Sequence, residues 1–424
     1  MPINSVPCSA IYNTLYFKWM QMSDETEFAG PLRGLKVLEL TNMIAAPMAG
    51  SLLADAGADV VKVEHPQRGD DLRTWPPHKD GKSLWFKATN RNKKLITIDL
   101  SQLAGQDLVR RMIGHFDVLI ENFRPGTMER WNLSYEVLSS LNPRLVMLRI
   151  SGYGQSGPYG QRPGYATIAE AMSGIPSFTG FADRPPTFSA FPLGDSVAGV
   201  LGAGAVMMAI YERDVAGSNL GQVIDVSLFE SLFRLVDAQV IGYDQAGLVK
   251  QRNGNRMDED SPRNAYRTSD GKYIAISAGS QRVFARLANA IGQPELNTDP
   301  RFSTTKDRVK NAVELDEIIT NWFTTHTSAA ALTELEAADA VAGPLYDIRA
   351  IMEDPHYLAR DDVIEVSDDD FGTVRMHGVI PKFLRTPGGV RFAARNKGHD
   401  NAAFFMQLGV EPAELEQLAK QDVI

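Results

Sequence analysis

A single carboxylate set among small residues raises the question of chemistry. In the stretch 189–199, SAFPLGDSVAG, Asp195 stands between Gly194 and Ser196, where a loop gives way to the apolar run 196–211, SVAGVLGAGAVMMAIY. An acid at such a junction can cap a helix, a role worth about 0.5–2 kcal/mol. It can equally act as a nucleophile if the fold leaves it reachable. Ser196 offers a third reading, because Gly194 and Ser196 match part of the hydrolase elbow GxSxG. Ala198 stands where the second Gly is required, and SAFPL is a poor strand, so the elbow reading is weak. Taken alone, Gly-Asp-Ser before an apolar run favours the cap.

Other familiar constellations are missing. The seven histidines include no pair at i, i+4 and no HExxH, so no metal site is expected. The single cysteine, Cys8, rules out an internal disulfide and any CxxC site, and points to a reducing, cytoplasmic setting. No Walker pattern occurs. GVLGAGAV (199–206) lacks the third glycine of a dinucleotide fingerprint and lies within an expected helix, and the first βα turn, ELTNMIAAPMAG, lacks the fingerprint too. A net charge of −9 argues against nucleic acid as the main partner. The run 196–211 is short of the ~20 residues needed to span a bilayer, so it reads as a buried core helix with no membrane role.

The elements that must position Asp195 follow from periodicity. Strands are expected at 35–40 (LKVLEL), 58–64, 95–100, 117–123 and 144–151, several without polar alternation, as in parallel strands buried on both faces. Helical patterns lie between them. In SQLAGQDLVRRMIGHF, Leu103, Leu108, Met112 and Ile113 form one stripe, with Ser101 as N-cap. Repeated βαβ units predict a doubly wound, Rossmann-like parallel sheet. GQVIDVSLFES reads as a further strand leading into a helix. Gly199, Gly202 and Gly204 in the apolar helix imply close approach of a neighbour.

A chain of 424 residues exceeds one ordinary core, so two domains are expected. Residues 1–30 read as an N-terminal extension, 31–247 as the first part of a large α/β domain, and 248–345 as a polar linker and smaller α+β domain. The last part, 346–424, reads as a return linker completing the large domain. Within the small domain, YRTSDGKYIAIS predicts a hairpin around Asp270–Gly271, followed by helices near 280–291, 309–324 and 328–338.

Six segments in order carry a resemblance. PLRGLKVLELTNMIAAPMAGSLLADAGADVVKVEHPQRGDDLR, NRNKKLITIDL, VLIENFRPGTMERW, SGYGQSGPY, PLGDSVAG and GQVIDVSLFES, closed by RNKGHDNAAFFMQLGV, resemble the class III CoA-transferases, the carnitine and formyl-CoA transferase family. The likeness runs from about residue 31 to the end. It implies an interlocked homodimer, each chain having a large Rossmann-like domain and an inserted small one. Asp195 is implied as the nucleophile that attacks an acyl-CoA thioester, giving a mixed anhydride and then an aspartyl-CoA thioester. Coenzyme A is then a substrate, with a carboxylic acid as acceptor and no permanently bound cofactor. Ile44, His65, Ile98, Asn122, Phe123, Arg124 and Arg130 match positions lining the CoA channel, with Arg130 and Arg124 suited to phosphate. Without the motif, the two arginines would be surface charges, Ile98 and Phe123 core, and Asn122 a turn residue.

There are departures from the family pattern. His65 stands where some members have arginine, Asn42 and Ile44 stand where formyl-CoA transferase has His and Gln, and 248–264 has no counterpart of that enzyme's glycine-rich loop, which argues against formate or oxalate. GYATIAEAMSG is closer to members using dicarboxylates such as succinate, malate or citramalate. The family also includes 2-methylacyl-CoA racemases, whose catalytic His position is occupied here by Tyr165; an ordinary tyrosine titrates near ~10, far from a useful base. A non-catalytic acyl-CoA-binding protein is the third reading.

Overall fold

The computed structural model describes residues 30–424, so the extension expected at 1–30, Cys8 included, lies outside the described residues except for Gly30. The described chain forms two compact units. One comprises residues up to Ser173 with Ser189–Asp237 and Ala359–Ile424; the other comprises Gly174–Phe188 and Ala238–Leu358.

The first unit is built on a six-stranded parallel sheet: β1 (Lys36–Leu40), β2 (Asp59–Glu64), β3 (Lys94–Thr97), β4 (Val118–Glu121), β5 (Val146–Ser151) and β6 (Val223–Ser227). The spatial order is β3-β2-β1-β4-β5-β6, the Rossmann order, which reverses between β1 and β4. Alternate residues of the strands serve two separate cores. Leu38, Leu40, Val61, Val63, Leu119 and Met147 face one, while Val37, Val60, Val118, Ile120, Val146 and Leu148 face the other. With both faces covered, the strands need no polar alternation.

Helix α1 (Ala45–Asp55) follows β1, and α2 (Leu103–Met112) follows β3. Two local expectations for α2 fail. Ser101 does not cap it, because its hydroxyl is bonded to Asp99 and the cap position is Gln102, which makes no side-chain bond. Leu103, the first helical residue, is 76% exposed, whereas Leu108, Met112 and Ile113 are buried as the stripe predicts. The C-terminal helices Asn401–Gln407 and Pro412–Lys420 pack Phe404, Phe405 and Leu418 into the core beside Ile98 and Leu108. They also tie down β3, since Asn401 Oδ1 accepts from Thr97 N at 2.8 Å and the Val423 carbonyl from Asp99 N at 2.7 Å.

Helices α3 (Ala166–Met172) and α4 (Leu193–Tyr211) cover the opposite face of the sheet with α1. The glycines of α4 divide. A Cβ at Gly199 would lie 2.7 Å from the Ala45 carbonyl and from Met48, and one at Gly202 would lie 3.0 Å from Leu148, so both permit close packing. Nothing approaches Gly204 within 4 Å. Nor is α4 buried all round, as Val200, Leu201, Met208 and Tyr211 are exposed. The run Leu193–Ala216 is long and apolar enough to cross a bilayer by length and composition alone, but its small-residue face is packed on α1 and β5.

The sheet interior carries charge. Register sets Glu39 of β1 beside Lys62 of β2, and Glu121 of β4 beside Arg149 of β5. Both pairs close, at 3.2 and 2.6 Å. Lys93 adds a second cation to Glu39 at 2.8 Å, and burial pulls its ammonium down to about 8 against the pull of Glu39. Helix α1 accommodates this cluster with Gly50, where a Cβ would stand 2.0 Å from Glu39 Oε2. Gly50→Ala is therefore expected to displace Glu39 from Lys93 and to cost about 3 kcal/mol, the lower range for breaking a buried pair. Urea unfolding measures it, and a cost below ~1 kcal/mol would show that Glu39 shifts freely.

In the second unit, strands Arg263–Arg267 and Tyr273–Ser277 form the expected hairpin, with Gly271 at φ +80° and Thr268 N bonded to the Lys272 carbonyl. Strand Ala342–Pro344 joins its other edge. The expected helices are found at Gln281–Ala290, Ala312–Thr325 and Ser328–Ala337, and the pattern read as 309–324 is broken at Asn311, the preceding helix being Thr305–Lys310.

Candidate active site

In an open parallel sheet, ligands bind beyond the carboxyl ends of the strands, where the order reverses. Here that place lies between the turn after β1 and the turn after β4, and Asn122 joins them. Its Oδ1 accepts from Asn42 N at 2.9 Å, and its Nδ2 donates to the Asn42 carbonyl at 2.7 Å. The Asn42 side chain engages the turn after β2: its Oδ1 accepts from Asp71 N at 2.8 Å and its Nδ2 donates to Asp71 Oδ2 at 2.6 Å. Next in the chain, Met43 has φ +69°, a left-handed conformation that costs a non-glycine residue about 1–2 kcal/mol. Its N–H is held by Asn42 Oδ1 at 2.9 Å and Asp70 Oδ1 at 3.0 Å. Asp70 is buried and ion-paired to Lys62 at 2.8 Å.

The turns after β1, β2, β3 and β4 surround one cavity. Val63, Ile98, Phe123 and Trp131 give it an apolar wall, and the rings of Phe123 and Trp131 meet edge to face at 4.9 Å. Phe123 is fixed because its N–H donates to Glu121 Oε2 at 2.7 Å. His65, Arg68, Asp99 and Ser101 supply polar edges. Burial and the Arg68 charge lower the His65 pKa, and Gln67 N donates to its Nδ1, which makes the neutral ring an Nε2–H tautomer. Among the described residues, the Arg68 guanidinium has no hydrogen-bond or ion-pair partner.

Of the positions marked in the sequence, His65, Ile98 and Phe123 come together in this cavity. Asn122 braces its floor through Asn42. Ile44 points into a buried cluster with Leu72 and Phe86, at the start of α1. Arg124 and Arg130 are exposed beyond β4, and Arg130 Nη2 donates to Thr127 Oγ1 at 2.9 Å. Sequence reasoning missed Lys62, Arg68, Asp70 and Trp131. Arg68 and Trp131 stand inside the quoted motifs EHPQRGDD and TMERW, so a basic and an aromatic residue near marked positions were visible signals. Nothing local marks the Lys62–Asp70 pair.

Asp195 sits at the third residue of α4. The cap reading fails: the cap position is Pro192, no side chain caps the helix, and Asp195 lies inside the first turn. The lead-in is held by Glu170 of α3, which is buried and whose Oε1 accepts from both Ser189 N and Ser189 Oγ at 2.8 Å. The Asp195 carboxyl is partly exposed and, among the described residues, has no hydrogen-bond or ion-pair partner. Burial pushes its pKa up to about 6. It is thus an acid half-ionised near pH 6 and mostly ionised at neutral pH, partly exposed to solvent and uncommitted to structure. Helix α4 is tied to the β1 turn one helical turn further on, where Gly199 abuts the Ala45 carbonyl next to Ile44. Tyr165 precedes α3 and is 74% exposed, with no side-chain cap bond.

Residues 32–401 match the family model described as CoA-transferase family III. The succinyl-CoA–D-citramalate CoA-transferase of Chloroflexus aurantiacus is 41% identical over 396 residues, covering 93% of this chain and 98% of the relative. The succinate–glutarate CoA-transferase of Agrobacterium fabrum is 36% identical over 373 residues, covering 86% and 91%. Among solved structures, a CAIB/BAIF family protein from Brucella suis superposes with a TM-score of 0.79 at 33% identity, covering 90% of this chain and all of that one.

Proposed function

Because the chain belongs to CoA-transferase family III and is a CoA-transferase, we propose that it moves CoA from an acyl-CoA to a dicarboxylic acid with Asp195 as the covalent relay. The observation that carries this reading is the uncommitted Asp195 carboxyl on the first turn of α4. An ionised Asp195 oxygen attacks the thioester carbonyl, the C–S bond breaks, and CoA thiolate leaves a mixed anhydride. The thiolate then attacks the Asp195 carbonyl carbon and expels the donor carboxylate, giving aspartyl-CoA. Acceptor carboxylate attacks that carbonyl, thiolate leaves again, and its return to the acceptor's acyl carbon releases the new acyl-CoA and the Asp195 carboxylate. No net proton is moved. One hard exchange becomes four substitutions at activated carbonyls. The positive end of α4 favours the ionised carboxylate and the oxyanion beside it.

The nucleotide end of CoA is assigned to the cavity at the switch point. Ile98, Phe123 and Trp131 offer a flat apolar wall for adenine, and His65 with Arg68 offers polar groups for ribose and phosphate. Asn122 holds the floor, Ile44 lies buried behind it with Leu72 and Phe86 and so supports the turn without lining the channel, and exposed Arg124 and Arg130 are available to the remaining phosphates. A methyl at Gly194 would make only ordinary contacts, at 3.4 Å or more from Ala166 and Leu232. Packing therefore does not demand glycine there. The exposed apolar face of α4 supports assembly as a homodimer; interlocking through the inserted small domain at 248–345 rests on the family resemblance, and a reducing cytoplasmic setting on the single cysteine. The named activities of the relatives favour succinyl-CoA as donor and a dicarboxylate as acceptor.

A screen of acyl-CoA donors against mono- and dicarboxylic acceptors, read by mass spectrometry of the CoA esters, tests this. Succinyl-CoA with C4–C5 dicarboxylates is expected to exchange fastest. Exchange confined to monocarboxylates would overturn the acceptor assignment, and no exchange at all would overturn the function.

A further inference from the structure

The buried Lys62–Asp70 pair has no place in the chemistry above, yet it ends on the backbone of the turn that separates the cavity from the helix of Asp195. Lys62 is fully buried; burial alone would strip its proton, but Asp70 and Glu39 outweigh that and keep it charged. Besides the two carboxylates, its Nζ donates to the Thr41 carbonyl at 2.9 Å and to Thr41 Oγ1 at 3.0 Å. Asp70 is oriented from the other side, because its own N–H donates to Glu64 Oε2 at 2.9 Å. One oxygen of Asp70 is taken by Lys62, and the other accepts from Met43 N at 3.0 Å and Leu72 N at 2.8 Å.

Met43 is the residue that most needs such help. Its left-handed backbone, φ +69°, is one that L side chains rarely adopt and that persists only where neighbours over-determine it. The residues on either side have functional contacts in the reading above: Thr41 and Asn42 line the cavity, and Ile44–Ala45 open α1 against α4. Were Met43 to relax to negative φ, the chain would leave Asn42 in a different direction. The cavity floor and the start of α1 could not both keep their places.

We infer that Asp70, braced by Lys62, is a positioning residue for the transfer reaction: it holds Met43 in the left-handed conformation that sets the CoA cavity in register with the helix carrying Asp195. This rests on the proposed CoA site and goes beyond it: Asp70 lines the cavity, and no step of the transfer above is assigned to Asp70 or Lys62. Glycine adopts φ +69° without strain and so makes Asp70 less necessary; a β-branched residue makes it more so.

A double-mutant cycle tests it, using the full-length chain with its best donor and acceptor. Asp70→Ala is expected to lower kcat/KM for the acyl-CoA at least tenfold, mainly through KM, while Asp70→Asn, which keeps an acceptor for the Met43 N–H, loses less. Met43→Gly is expected to raise kcat/KM of Asp70→Ala at least fivefold more than it raises that of the unmutated chain. A merely structural Asp70 gives the same factor in both backgrounds, and that result overturns the inference. If Asp70→Ala does not fold by circular dichroism, the series at position 43 decides: Met43→Val is expected to lower kcat/KM at least fivefold relative to Met43→Gly, and equal values overturn the inference. Failure of the CoA reading itself is distinguishable, because the unmutated chain would then show no transfer in the same assays.

Discussion

Asp195→Ala is expected to lower CoA transfer by at least about 10³-fold, some 4 kcal/mol of transition-state stabilisation, while acyl-CoA still binds. The size follows from covalent catalysis: without the carboxylate there is no anhydride and no aspartyl-CoA, so donor acid and acceptor acid would have to exchange directly. Little else should change. The side chain makes no hydrogen bond or ion pair among the described residues and caps nothing, so its removal leaves no polar group orphaned. Two measurements separate this from a generic loss. Isothermal titration should give the variant a CoA affinity within a few fold of the unmutated chain. Hydroxylamine added during turnover should convert Asp195, and no other carboxylate, to a hydroxamate detectable by peptide mass. A non-catalytic acyl-CoA-binding protein would match the affinity and show neither turnover nor adduct, and retention of transfer by Asp195→Ala would sink the relay mechanism.

How far the site could be read in advance depends on what each residue is bonded to. The strands of the first unit were legible because both sheet faces are buried, so LKVLEL and ADVVKVE are rich in Leu and Val with no strict polar alternation. His65, Ile98 and Phe123 were marked only by the family resemblance; the sheet places each just past a strand end, where the topology collects them around one cavity. The failures are local competitions. Ser101 was free to cap α2 by its position, but Asp99 two residues earlier takes its hydroxyl. Asp195 looked like a cap because Gly-Asp-Ser is a capping sequence, whereas Pro192 starts the helix three residues sooner. The exposed side of α4 could not be foreseen, since its run is apolar all round and composition does not say which face is covered. Lys62 and Asp70 were invisible for a deeper reason. A lysine inside ADVVKVE reads as an edge or surface residue, and only the register of β1 with β2 and the return of the chain at Asp70 reveal that it is buried among carboxylates.

Asp195 should also make activity and stability depend on pH in opposite senses. Burial raises its pKa from 3.8 to about 6. The nucleophile is the ionised form, so kcat/KM for the acyl-CoA is expected to be flat above about pH 7 and to fall tenfold per unit below pH 6, reaching about 100-fold by pH 4. His65 could contribute a second inflection, since burial and Arg68 lower its pKa; repeating the profile in His65→Gln isolates Asp195, whose inflection should remain. For stability, the folded pKa lies above the unfolded one. The folded chain therefore binds the Asp195 proton more tightly, and that contribution is fully present below pH 3.8 and lost as pH rises through about 6. Ionised Asp195 is thus a burden on the fold at working pH. Asp195→Asn, which keeps the shape and removes the charge, is expected to be more stable than the unmutated chain by about 1–2 kcal/mol at pH 8, allowing for the partly exposed carboxyl. The advantage should vanish near pH 4. Paired thermal unfolding at the two pH values measures it. A difference that does not change with pH would mean that Asp195 ionises in the folded chain as it does in water, and the activity limb near pH 6 would then belong to another group.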